Sequence, residues 1–169
     1  TRDIGYTDMP EYTAGLNTGF SWKNFDFSMQ WTGAWNVDRM LDEFRRPLGD
    51  TNEKGLLLYQ YDTTWRSSAD TFTAKFPRTS SLHASNNYAG SDLYLINASY
   101  LRLKSVEIGY NFNFPFMKKL KMDNCRLYVN GYNLITITGF KWGDPESRQS
   151  SRPNYPLTRV FNIGLKLGF

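Results

Sequence analysis

The sequence contains very few of the residues that most catalytic and metal sites need. Its 169 residues include one cysteine, Cys125, and one histidine, His83. One cysteine cannot close an internal disulfide bond, and one of each residue supplies no zinc cluster and little material for a catalytic triad. We therefore expect no enzymatic activity, no catalytic residues, no metal site and no cofactor.

Long apolar segments are also missing. The longest aliphatic run is Leu56 to Leu58, whereas a membrane-spanning helix needs about 18 or more apolar residues in succession. The first ten residues show neither a basic region with an apolar stretch nor a small-residue cleavage site, so no signal peptide is visible. That absence does not restrict the destination of the chain if a longer polypeptide precedes it.

The charge of the chain is low and evenly spread. The 20 basic and 16 acidic residues are interleaved, and the formal net charge is +4. Because no basic stripe forms along the sequence, we expect no nucleic-acid partner.

What the chain has instead is aromatic residues at alternating positions. The segment 13–35 alternates between apolar and small or polar residues on both sides of Lys23-Asn24. A two-residue turn there predicts that Trp22 lies opposite Phe25, and a slip of one residue would destroy the match of the two faces. The same register predicts three further cross-strand pairs: Phe20 with Phe27, Thr18 with Met29, and Leu16 with Trp31.

The alternation predicts five antiparallel strands joined by short turns and long loops in turn. The strands are expected at about 13–22, 25–35, 97–112, 125–138 and 157–169. Long loops are expected at about 36–96 and 139–156, the first with a short helix around 39–46. Loops of such length are usually functional. The carboxylates of Asp144 and Glu146 lie two residues apart in the second loop, a spacing more typical of a turn than of acid–base chemistry without a pocket.

The composition of the two strand faces predicts a membrane protein. The polar positions are mostly Gly, Ser, Asn and Gln, whereas the wet face of a soluble sheet carries many charged side chains. Strands of about 10 residues with one apolar face, short turns and long loops are typical of a transmembrane β-barrel. We expect an all-β fold in the bacterial outer membrane, in contact with the lipid bilayer and with its long loops extracellular. Five strands cannot close a barrel, so the chain is either the tail of a longer polypeptide or one of several copies that contribute strands.

Rings gather at the short turns, where a barrel carries its interfacial aromatic girdle. The predicted girdle comprises Phe20, Trp22, Phe25, Phe27, Tyr110, Phe112, Phe114 and Phe116, with Phe169 at the same level.

Four segments resemble the C-terminal end of SusC/RagA-type TonB-dependent outer-membrane transporters of Bacteroidota. These segments are "PEYTAGLNTGFSWKNFDFSMQWTGAW", "NASYLRLKSVEIGYNFNFP", "RLYVNGYNLITITGFKWGDPE" and "YPLTRVFNIGLKLGF". The resemblance implies a barrel of about 22 strands, of which residues 1–169 hold the last five, and the import of large nutrients such as glycans or peptides. It also implies a SusD-like surface lipoprotein as partner, and TonB as a second partner through an N-terminal part that this chain lacks.

The last predicted strand is interpreted as a signal for the outer-membrane assembly machinery, in addition to the alternation that any final barrel strand needs. The signal residues are Phe161, Ile163, Leu165, Leu167 and Phe169. Aromatic residues of the long loops are candidates for contacts with substrate or lipoprotein, although packing of the loops against one another is the favoured interpretation. These loop residues are Tyr59, Tyr61, Trp65 and Trp142.

Two alternatives to the importer remain. A soluble all-β carbohydrate-binding module would use the same rings as a sugar platform, but its apolar sheet face would have to be buried under a second sheet. A multi-chain barrel translocator would assemble its wall from several short chains.

Overall fold

The fold is built on one antiparallel sheet of five strands. The computed structural model describes residues 5–42, 58–79, 87–115, 117, 121–147 and 157–169. The strands are β1 (Tyr12–Trp22), β2 (Phe25–Trp35), β3 (Asp38–Met40), β4 (Leu95–Asn97), β5 (Tyr100–Phe112), β6 (Asn124–Thr138) and β7 (Val160–Gly168). The large sheet has the order β1-β2-β5-β6-β7, and β3 pairs with β4 in a small second sheet. The prediction of an all-β antiparallel fold is confirmed.

The helical segments between β3 and β4 that the structure describes are short. One helix, α1, spans Leu58–Thr63, and 3₁₀ turns span Ser68–Asp70 and Asp92–Tyr94. Within the described ranges, no helix has the length and apolar character needed to cross a membrane.

The sequence placed the strands of the large sheet closely and the shorter elements poorly. Observed and expected strand ends differ by at most three residues, at the starts of β5 and β7. The helix expected around 39–46 is wrong at its start, because Asp38–Met40 forms β3. The backbone of Asp38–Met40 pairs with β4. Next to it, the N–H of Leu41 donates to the C=O of Tyr94, and the C=O of Val37 accepts from the N–H of Ala98. Residues 43–46 lie outside the described residues.

The predicted register of the first hairpin is confirmed. Trp22 lies opposite Phe25, Phe20 opposite Phe27, Thr18 opposite Met29, and Leu16 opposite Trp31. The turn places Lys23 at a positive φ of 54°, a conformation that costs a non-glycine residue about 1 kcal/mol.

An irregularity in β5 changes which face its side chains occupy. Val106 pairs with Met29, yet Leu103 pairs with Trp31, and the register shifts between them at Lys104. On the apolar face of the sheet, β5 therefore places odd-numbered residues such as Leu103 before the shift and even-numbered residues such as Val106 after it. The same shift moves Arg102 to the polar face, where it lies opposite Thr32.

The two ends of the sheet differ, and we name them by their connections. The turn end holds the turn at 23–24, the connection 113–123 and the last residues of β7. The loop end holds the segments between β2 and β5 and between β6 and β7.

Most of the well-buried apolar side chains belong to the loop end. We call this cluster the loop core; it comprises Val37, Leu41, Phe76, Tyr94, Ala98 and Phe140, with Met40, Tyr59, Ile96 and Trp142 packed against it.

Candidate functional site

The apolar face of the sheet is open to its surroundings. On β7, Ile163 is 78% exposed and Phe161 is 70% exposed, although both are large and apolar. The register places exposed side chains of all five strands on this same face: Tyr12, Leu16, Phe20, Trp22, Trp35, Ile108, Tyr110, Leu127, Val129, Ile135, Ile137, Phe161, Ile163, Leu165 and Leu167. An apolar patch of this extent on a folded protein marks contact with a partner or a membrane.

The predicted girdle residues come together at the turn end. The ring of Phe20 lies 5.9 Å from that of Phe25 and 5.5 Å from that of Phe27, measured between centroids. A second group of rings lies on and just after β5, next to the first, since Phe25 pairs directly with Tyr110. Tyr110, Phe112 and Phe114 follow one another at centroid distances of 4.9 and 5.2 Å. Trp22 carries the ammonium of Lys23 over its ring at 4.7 Å. Phe116 lies outside the described residues, and the girdle role itself stays a prediction.

The five residues interpreted as an assembly signal occupy the edge of the sheet. Phe161, Ile163, Leu165 and Leu167 alternate along the exposed face of β7, and Phe169 follows the strand with its ring exposed. Their role in assembly stays a prediction.

The polar face carries a ladder of hydrogen bonds near the turn end. Arg126 on β6 donates from Nε to Asp26 on β2 at 3.0 Å and from Nη2 to Glu107 on β5 at 2.7 Å. Asn130 donates to Glu107 at 3.3 Å, and Asn162 on β7 donates to Asn130 at 2.9 Å. Side chains of four strands are thus joined across this face.

Two glycines make room for the large side chains of this ladder. The guanidinium of Arg126 lies over Gly109, where an added Cβ would be 2.6 Å from Cζ. The ring of Tyr128 lies over Gly164, where an added Cβ would be 2.7 Å from Cε1. Glycine at position 109 allows Arg126 to cross β5 and reach Asp26, and glycine at position 164 allows the Tyr128 ring to lie over β7.

A second ion cluster lies at the loop end and is far more buried. The side chain of Arg102 is 2% exposed, and it donates to Asp144 at 2.7 Å, to Glu146 at 2.8 Å and to the Thr136 hydroxyl at 3.1 Å. Lys104 donates to the same Glu146 carboxylate at 3.1 Å. The two carboxylates of the "GDPE" segment, interpreted from the sequence as a turn, therefore share one buried guanidinium.

Burial and hydrogen bonding act in opposite directions on Asp144. Desolvation raises the pKa of this carboxyl group, but the hydrogen bonds from Arg102 and from the Glu146 N–H outweigh it, so the pKa lies below its ordinary value. Asp144 is therefore ionised at neutral pH, as an ion pair with Arg102 requires.

The four loop aromatics predicted as contact residues lie in different surroundings. Tyr59 packs edge-to-face on Trp142 at 4.4 Å, and both contact the loop core. Trp65 is half-buried, and its backbone N–H donates to the C=O of Phe76. Tyr61 is exposed and lies under the guanidinium of Arg66 at 4.8 Å. Packing explains Tyr59 and Trp142, whereas Tyr61 presents its ring to the outside.

Cys125 and His83 are the single residues of their types in the sequence. Cys125 is a half-buried free thiol at the start of β6, and His83 lies outside the described residues. Across the part of the chain that the structure describes, no three His, Cys, Asp or Glu side chains are grouped so that they could hold a metal ion.

Comparisons with known proteins agree with this architecture. No protein-family model matches the chain. TonB-dependent receptor P3 of Formosa agariphila is 29% identical over 177 aligned residues that cover 95% of this chain. TonB-dependent receptor SusC of Bacteroides thetaiotaomicron is 28% identical over 157 residues that cover 92% of it. The resemblance to SusC/RagA-type TonB-dependent receptors is confirmed.

Solved structures show the same fold. The RagAB peptide importer in its 'open-open' state matches 97% of this chain with a TM-score of 0.73 at 22% identity. Its 'closed-closed' state matches with the same TM-score at 21% identity. The sheet described here thus has the fold of part of a TonB-dependent receptor. The chain spans only 16% and 15% of the length of the P3 and SusC receptors, and 18% of the RagAB chain in the 'open-open' state.

Proposed function

We propose that this chain is the C-terminal part of the barrel wall of an outer-membrane TonB-dependent importer of large nutrients. The observation that carries the proposal is the one-sided sheet: an exposed apolar face on all five strands, backed by a polar face with its own hydrogen-bond ladder. A membrane strand has to expose apolar side chains to lipid and keep polar ones toward the lumen.

The lipid side is supported by the character of the exposed residues. Ile163, Leu165 and Phe161 lie side by side with Val129, Leu127 and Gly131 in the β6–β7 register. In water, each large side chain of this kind loses about 1.5–3 kcal/mol of burial free energy. A bilayer removes that loss without any second sheet, and the rings at the turn end lie where a membrane interface would bind them.

The lumen side is supported by the arrangement of polar groups. Asp26, Glu107 and Arg126 are bonded to one another rather than to an opposing protein layer. Their side chains remain partly exposed, as expected for groups that line a water-filled or plugged interior. Among the described residues, β1 pairs only with β2 and β7 only with β6. Both outer edges need further strands, which the longer polypeptide would supply in a barrel of about 22.

The cargo and the partners are inferred from the relatives. The structural neighbours are named as a peptide importer, RagAB, and one of the curated relatives is SusC. We infer import of glycans or peptides, a SusD-like lipoprotein over the loop end, and energy from TonB through a part of the protein outside these 169 residues. Sequencing of the full gene with its neighbours tests this: an adjacent lipoprotein gene supports the inference, and a gene that encodes only this segment contradicts it.

The membrane assignment is tested with two neighbouring substitutions in the full-length protein. Ile163→Arg places a charge on the apolar face and should cost about 2–4 kcal/mol if it lies near the bilayer midplane. Asn162→Arg places the same charge on the polar face and should cost at most about 1 kcal/mol, the value of its exposed hydrogen bond to Asn130. Heat-modifiable gel migration of the outer-membrane fraction measures the folded population of each variant. Normal folding of Ile163→Arg, or release of the unaltered protein into plain buffer, would reject the barrel and favour the soluble carbohydrate-binding module.

A further inference from the structure

Arg102 joins β5 to β6 and to the segment that follows β6, with partners 34 to 44 residues further along the chain. It projects from β5, donates a hydrogen bond to the hydroxyl of Thr136 on β6, and donates to both carboxylates of the segment 139–147. Its guanidinium also lies 5.6 Å from the ring of Tyr100. A buried guanidinium with two carboxylates has its donors satisfied, and the loss of either partner leaves a desolvated charge.

Asp144 binds at both ends of its own loop. Its Oδ1 accepts from Arg102 and, at 2.9 Å, from the N–H of Glu146. Its Oδ2 accepts at 3.4 Å from the N–H of Leu157, which leads into β7. One carboxylate therefore holds the departing and the returning chain of this loop against β5.

The same loop segment also enters the loop core. Phe140 is buried in the core, and Trp142 packs on Tyr59 of α1. Tyr59 in turn lies 6.2 Å from Phe76, which stacks on Tyr94 at 5.7 Å. A continuous chain of contacts thus runs from the Arg102 ion cluster to the segments 58–79 and 87–97, which lie between β2 and β5.

We propose that Arg102 is a positioning residue that latches the segment 139–147 to the barrel wall and thereby fixes the loop core. The latch itself depends on the contacts above, and only its location at the outer mouth rests on the proposed function. A fixed mouth presents the exposed ring of Tyr61 and any lipoprotein contact in one geometry, so that binding there loses little conformational entropy.

The latch is tested by limited trypsin digestion of the purified full-length protein in detergent. Lys141 lies in the latched segment and Arg66 follows α1, so cleavage at these two sites reports local opening. Asp144→Asn and Arg102→Gln should each raise the cleavage rate at Lys141 at least about tenfold, the effect of losing a hydrogen bond to a charged group. Cleavage at Arg66 should rise with it. The double variant should cleave no faster than the faster single variant, because both changes open the same latch.

Asp70→Asn is the matched control. Asp70 is also a loop carboxylate paired with an arginine, but its partner Arg66 is four residues away, and the two side chains are 22% and 48% exposed. The control should leave cleavage at Lys141 unchanged. The heat-modifiable band should persist in every variant, which separates local opening from loss of the barrel fold; if Arg102→Gln fails to fold, Asp144→Asn carries the comparison.

Unchanged cleavage at Lys141 in folded Asp144→Asn overturns the latch, and so does additive cleavage in the double variant. Trypsin added to intact cells gives a separate readout for the Asp144→Asn protein. Cleavage at Lys141 there places the loop end outside the cell. Cleavage only after lysis would contradict the proposed topology while leaving the latch in place.

Discussion

The two ends of the sheet use the same residue types in opposite surroundings. At the turn end, rings such as Phe20 and Trp22 are exposed, and Arg126 binds its two carboxylates with 19% of its side chain accessible. At the loop end, Tyr94 and Phe76 are buried, and Arg102 binds its two carboxylates almost without exposure. The two ends differ in how much protein packs over them. The loop segments form a protein layer over one end, whereas the described residues at the other end form turns.

Similar side chains therefore have different roles at the two ends of the sheet. In the proposed barrel, the exposed rings at the turn end meet the membrane, so their contribution depends on it. Buried rings at the loop end hold protein segments together, so their contribution is a packing free energy. Substitutions at the two ends and a change of pH separate these two roles, from the largest expected effect to the smallest.

The largest effect is expected from removing a ring of the loop core. Tyr94→Ala should destabilise the loop core by about 3–5 kcal/mol, because it creates a cavity beside Phe76. Phe20→Ala at the turn end should cost only about 1 kcal/mol, the range of an aromatic pair contact. Hydrogen exchange of the Leu41 and Ala98 amides, which bond to Tyr94 and Val37, measures the first effect. Equal losses in both variants would show that the loop core is not a packed unit.

The two arginines should differ in the same direction. Arg102→Gln should cost about 3 kcal/mol, because it leaves two carboxylates without their buried partner. Arg126→Gln should cost about 1–2 kcal/mol, since water reaches Asp26 and Glu107 and replaces part of the interaction. Chemical denaturation of the full-length protein, followed by gel migration, ranks the two. A greater loss at Arg126 would reverse the comparison.

The space over Gly109 gives a smaller and more local effect. Gly109→Ala should cost about 1–3 kcal/mol as overpacking, because the new methyl group meets the guanidinium of Arg126. Gly139→Ala is a control, since an added Cβ there meets nothing within 4 Å. Adding Gly109→Ala to Arg126→Ala should cost little beyond Arg126→Ala alone, and a full additive loss would show that Arg126 is not the obstructing group.

The smallest effect is a dependence on pH that is confined to the loop end. The pKa of Asp144 is lowered in the folded protein, so its stabilising contribution is present above the unfolded pKa of about 3.9 and is lost as pH falls through the folded pKa. Trypsin sites cannot be assayed at this pH, but pepsin cleavage near Trp142 between pH 5 and pH 2 can. Asp144→Asn should cleave readily throughout this window, whereas the unaltered chain should open only toward its lower end.

The strands of the large sheet could be derived from the sequence because their information is local. The Lys23-Asn24 turn and the alternation of neighbouring residues set the register of Trp22 on Phe25 without any distant contact. The same holds for the exposed face of β7. In each case the periodicity of two carries the prediction.

The Arg102 cluster could not be derived in this way, because its partners lie 42 and 44 residues away. One local signal was available: in "YLRLKSVEIGY" the apolar residues change from odd to even positions between Leu103 and Val106. Such a change indicates a bulge, and a bulge at Lys104 places Arg102 on the polar face. The loop core was missed for a related reason, since its rings belong to three segments whose association no periodicity describes.

The binding of Asp144 to both sides of its loop has a practical consequence for engineering the protein. Because Arg102 and the Leu157 N–H hold the departing and returning chain at one carboxylate, the residues between 147 and 157 begin and end at a clamped base. Lengthening a loop with fixed ends costs little, about 0.6 kcal/mol for each doubling of its length. We therefore expect an epitope or a reporter peptide inserted between these two bonded positions to leave the five-stranded sheet undisturbed.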